Sequence, residues 1–73
     1  MNRSPALLDT VALLHPVPSC GLAAGQVGTV VEELDGATVE VEFANLQGET
    51  LAMLPVAKRD LLVLVHDPPQ LAA

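Results

Sequence analysis

Three side chains in this 73-residue chain could hold a metal or attack a substrate: His15, Cys20 and His66. Imidazole and thiolate are ordinary zinc ligands, but a structural zinc site takes four of them at recognisable spacing. These three are scattered, so the histidines read as strand ends at the solvent boundary. Cys20 lies in "PVPSCGLAAG" with no lysine or arginine beside it to favour a thiolate, and reads as an ordinary loop residue. Glu40 and Glu42 are a second candidate pair. Two residues apart on a strand, their carboxylates share one face about 7 Å apart, within the range of paired catalytic carboxylates. Catalysis also needs a cleft that perturbs one of them, and the outer face of a small barrel is wet. A solvated face is the expectation. The hydroxyls are Ser4, Ser19 and four threonines, none with a plausible base beside it in the sequence. The expectation is a protein that is not an enzyme and holds no cofactor and no metal.

The glycines of "GLAAGQVGTVVEEL", Gly21 to Leu34, raise the possibility of a phosphate-binding loop. Such a loop needs Gly-Lys-Ser or Gly-Lys-Thr ahead of a helix. A dinucleotide fingerprint needs three glycines opening a helix. Here there is no lysine, and a β-branched run follows. Gly25 therefore reads as a turn, and Gly28 as a bulge or a close approach of backbones.

These residues must be positioned by strands. "DTVALLH", Asp9 to His15, reads as the first strand, followed by a loop over Pro16–Ala24 that proline and glycine punctuate. "GQVGTVVEEL", from Gly25, reads as the second. Asp35-Gly36 predicts a tight hairpin turn, because both residue types tolerate positive φ. In "TVEVEFA", Thr38 to Ala44, Val39, Val41 and Phe43 alternate with Glu40 and Glu42, which predicts one buried and one wet face. A second turn over Asn45–Glu49 leads to a fourth strand, Thr50–Val56, where Pro55 ends a ladder or marks an edge. "AKRD" suits one 3₁₀ turn, and "LLVLVH", Leu61 to His66, reads as the last strand.

The fold class expected is all-β: a small five-stranded antiparallel SH3-like barrel with a short 3₁₀ turn before the last strand. Its divisions are a flexible leader over 1–8, the barrel over 9–66 and a tail over 67–73. One register stays open. A two-residue Asp-Gly turn pairs Val30 with Val41 and leaves Val31 outside, whereas a bulged three-residue turn reverses which valines are buried.

The frame "LDTVALL…GLAAGQVGTVVEEL…ATVEVEFANLQGETLAMLPV…DLLVL" resembles a family of short bacterial proteins, the domain of unknown function 4926. Its pattern "G-L-x-x-G-x-V-G-T-V-V" corresponds to Gly21 through Val31, "V-E-F" to Val41 through Phe43, and "G-x-T-x-A-x-L" to Gly48 through Leu54. A leucine-rich strand follows from Leu61. Gln26 stands where an acidic residue is more familiar, and a proline-rich tail runs past the usual end. The resemblance implies a small SH3-like barrel and assigns no activity.

Composition narrows the partners. The formal charge is −6, from nine acidic residues against Arg3, Lys58 and Arg59, with no Trp or Tyr to stack bases. No nucleic acid is expected, because phosphate backbones are bound by Lys and Arg, and no anionic membrane. Asp9 splits the early apolar run, and His15, Pro16 and Pro18 sit where a cleavable signal has small residues, so that reading is set aside. A single cysteine and no bridge fit a reducing, cytoplasmic location.

The chain is 51% hydrophobic with one aromatic, more than so small a domain can bury. Candidates for the outside are Val27 or Val31, Leu51 and Met53, and Leu62 and Leu64. "LLVLV" does not alternate, so both of its faces need cover. The function expected is a non-enzymatic protein–protein interaction module that forms a homo-oligomer. Glu32, Glu33, Glu40 and Glu42 would face a basic protein partner. The alternative is a small-ligand or peptide binder using a groove between the Pro16–Ala24 loop and the Asn45–Gly48 turn. Phe43 is the only aromatic and is expected inside, which argues against an aromatic-lined groove for proline-rich peptides.

Overall fold

A computed structural model describes residues 3–64. His66 and the tail over 67–73 lie outside the described residues. Five antiparallel strands follow one another: β1 (Thr10–Leu13), β2 (Val27–Glu33), β3 (Thr38–Ala44), β4 (Thr50–Ala57) and β5 (Leu61–Val63). The connections run as the sequence implies: a long loop, two hairpins, then a 3₁₀ turn over Lys58–Asp60 into β5. The long loop holds a second 3₁₀ turn, Pro18–Cys20, ended by Gly21 in the left-handed region at φ 69°. Val17 and Leu22 close that loop with a pair of backbone hydrogen bonds, and Leu22 is buried.

The hydrogen-bonded order is β4-β3-β2-β1-β5. The expected barrel is therefore not closed by a ladder: among the described residues β4 and β5 are the two edges. Even so, Val11, Val30, Val39, Val41, Phe43 and Leu61 have no exposed surface. Among the described residues no helix covers the sheet, which hides them by curving onto its own face, with Leu22 and Val17 of the long loop packed against the same core. Val56 of β4 and Val63 of β5 join the same core, so both edges wrap round it. The alternation of β3 is realised in full, with Val39, Val41 and Phe43 inward and Glu40 and Glu42 half-buried on the other face.

The β2–β3 turn corrects one expectation. Neither Asp35 nor Gly36 takes a positive φ, so this is not the two-residue turn that an Asp-Gly pair favours. The reversal is wider. Leu34 N and Asp35 N both donate to Thr38 O, and Asp35 Oδ1 accepts from Ala37 N at 2.8 Å. The ladder above it pairs Glu33 with Val39 and Glu32 with Glu40. A bulge between Val30 and Glu32 then restores the Val30–Val41 pair. Val30 is buried and Val31 is only half-buried, so the facing that a tight turn would give arises from a wider turn plus a bulge. Gly28 is not the bulge. It is the close approach: a Cβ there would lie 2.8 Å from Glu42 O, Phe43 Cδ1 and Val41 Cγ1.

The first strand is shorter than Asp9–His15, because side chains and turns take over both ends. Asp9 accepts from Arg3 at 2.8 Å and from Ala6 N at 2.9 Å, closing a turn. Leu8 N then donates to Val30 O and Pro5 is buried, so residues 3–9 lie against the sheet. At the other end Leu14 N donates to Asp60 O.

Candidate functional site

Paired residues in an antiparallel sheet share a face, so the ladder lays out the outer surface row by row. Glu42 stands between Thr29 of β2 and Met53 of β4. Glu40 stands between Glu32 and Pro55. Three of the four candidate glutamates, Glu32, Glu40 and Glu42, thus meet on one face, two of them directly opposite each other. Like charges in that arrangement repel. The fourth does not join them. Glu33 pairs with Val39, an inward residue, and its Oε1 lies 3.6 Å from Lys58 Nζ at the rim of the sheet. Neighbours on a strand face opposite ways, and the bulge decides that Glu32 rather than Glu33 is the outward one. Thr50 Oγ1 donates to Glu42 Oε2 and pins that carboxylate over β4.

Among the apolar candidates, Leu51 and Met53 are each 53% exposed, beside the acidic rows. Leu62 lies on another part of the outer surface: it pairs with Ala12, which also pairs with Val27, and both Leu62 and Val27 are exposed. Leu64 is half-buried and its N–H donates to Thr10 O. The structure therefore divides the expected surface in two. One part combines glutamates with Leu51 and Met53 across β2, β3 and β4. The other is an uncharged strip over β5, β1 and β2.

His15 Nε2 lies 4.0 Å from Asp60 Oδ1 with both side chains open to solvent, and Cys20 is exposed. Among the described residues no three His, Cys, Asp or Glu side chains converge as metal ligands would. One cleft lies away from the Pro16–Ala24 loop. It lies at the opposite end of β2 and β3, between Ser4, the turn residues Gly36–Thr38 and Ala57–Arg59. Sequence reasoning missed it because Ser4 is remote in the chain from both other segments. Lys58 N donates to Ala37 O at 2.8 Å, which joins the 3₁₀ turn to the hairpin.

Taken together, these features define a small all-β domain with one curved antiparallel sheet, a mixed acidic and apolar outer face and, among the described residues, β4 and β5 at its two edges. No described helix is long and apolar enough to cross a membrane. The family model of a domain of unknown function, DUF4926, matches residues 7–63, and the chain belongs to that family. No curated protein and no solved structure matches it.

Proposed function

We propose that this protein is a non-enzymatic interaction module that self-associates. The observation that carries the reading is the placement of Leu51 and Met53, half-exposed side by side on β4 at the edge of the sheet. Apolar side chains in that position lose free energy to water unless another chain covers them. The group of Glu40 and Glu42, one strand further in, and Glu32, two strands in, offers a surface to a basic protein, and its mutual repulsion is relieved when cations approach.

Sedimentation equilibrium of the purified protein tests self-association. A mass above that of one 7.6 kDa chain, rising with concentration, is expected. A monomer throughout the accessible concentration range refutes it.

A further inference from the structure

The direction of each peptide group along β4 follows from the ladder. Val30 N donates to Asp9 O at 2.9 Å and Val30 O accepts from Leu8 N at 2.8 Å, so the backbone groups of Val30 face away from β3. In an antiparallel sheet, bonded and non-bonded pairs alternate. Val41, opposite Val30, therefore turns its groups toward β4, and Leu54, opposite Val41, turns its groups back. Met53 and Pro55, the neighbours of Leu54, then point theirs away from β3, over the open edge. Proline has no N–H to lose there, which is why an edge strand tolerates it. The N–H and C=O of Met53 are left side by side facing solvent among the described residues.

Edges are commonly blunted by charge, but Thr50–Ala57 contains no charged residue. The blunting devices lie on either side of Met53 instead. Pro55 is one, and the irregularity between Phe43 and Ala44, opposite Thr50 and Leu51, is the other. They leave a short window centred on Met53.

We infer that a second copy of this chain occupies that window: β4 pairs antiparallel with β4 of the copy about a two-fold axis through Met53. The inference rests on the self-association proposed above and supplies its geometry. Each Met53 N–H donates to the C=O of the other Met53, giving a reciprocal pair. The axis lies perpendicular to the sheet, so the outer faces become continuous and the Leu51 and Met53 side chains of both copies form one apolar strip. The charge pattern permits this. Glu42 is one strand in from the edge, so the two Glu42 residues stand three strand spacings apart, about 14 Å. That exceeds the Debye length of about 8 Å at physiological salt, and their repulsion is screened. A partner bearing acidic residues on its own edge strand would not have this advantage. Pro55 and the irregularity confine the new ladder to the Met53 window, and because the two-fold contact uses β4 of both copies the pairing closes as a dimer.

Two substitutions test it. Met53→Pro keeps an apolar residue but removes the two central donors, at a position where no bond to β3 is lost. Dimerisation should weaken about five- to hundredfold, from two missing interprotein hydrogen bonds, with the β-sheet circular dichroism retained. If that variant does not fold, Met53→Lys places two charges at the axis and should give the same loss. Separately, Met53→Cys on a Cys20→Ser background should cross-link to a dimer under mild oxidation. Residues in a bonded antiparallel pair have Cα atoms about 5.5 Å apart, within disulfide reach. Leu62→Cys on the same background should not. A wild-type dimer that persists unchanged in the Met53 variants, or cross-links through Leu62→Cys and not Met53→Cys, overturns edge pairing while self-association stands. A monomeric wild type removes both.

Discussion

Replacing Gly28 with alanine adds one methyl group at the most crowded point of the sheet. That methyl would meet three heavy atoms at 2.8 Å: Glu42 O, Phe43 Cδ1 and Val41 Cγ1. Ordinary carbon contacts lie at about 3.5–4.0 Å, so the overlap is about 0.7 Å from three directions at once. None of the three can swing aside. Phe43 and Val41 are fully buried, and Glu42 O belongs to the backbone of β3. The strands must separate instead. Overpacking of this kind costs about 1–3 kcal/mol, and alanine returns about 0.4–1 kcal/mol by restricting the unfolded chain. With the full overlap, a net loss of about 2 kcal/mol is expected, or about 8–16 °C in Tm for a domain of this size. Gly36→Ala is the matched control. A Cβ at Gly36 has nothing within 4 Å, and the residue does not need positive φ. It should be neutral or raise stability by up to about 1 kcal/mol. Thermal and urea melts followed by circular dichroism, at one protein concentration because association shifts Tm, measure both. Equal stability of the two variants would refute the close-approach argument. A large loss at Gly36 alone would restore the tight left-handed turn.

Two further outcomes follow from the same geometry. Glu40→Gln removes the repulsion with Glu32 directly opposite and should raise stability by about 0.2–1 kcal/mol at low salt, a gain that shrinks as salt is added; urea melts at two ionic strengths read it. Asn45→Ala deletes the side-chain oxygen that accepts from Gln47 N and Glu49 N, each at 2.9 Å. Those N–H groups can turn to water, so the loss should stay near 0.5–1.5 kcal/mol, seen as a modest fall in Tm without loss of the sheet.

How much was legible differs from residue to residue. Val39, Val41 and Phe43 declared their inward face by spacing alone, because alternation is a property of one extended chain and needs no partner. Pro55 marked an edge for a similarly local reason, its missing donor. The Asp35-Gly36 pair located the reversal but not its geometry. Turn residues permit a conformation, and the pairing of β2 with β3 selects it. The location of the cleft was not legible at all, since Ser4 comes to line it with Gly36 and Lys58 only once the chain is folded.

The candidate surface divides along the same line. By itself the sequence determined that glutamates and apolar side chains alternate on β3, that more apolar surface exists than a core this small can hold, and that five short strands with these connections must build an antiparallel sheet. Only the tertiary structure decided that Glu32, Glu40 and Glu42 meet while Glu33 turns away to Lys58. It also decided that β4 lies at an edge of the sheet among the described residues, and that the peptide groups of Met53 point away from β3. Register and edge position are relations between strands. A single inserted residue at Val31 moves every side chain beyond it to the other face, and no property of one strand read alone encodes that shift.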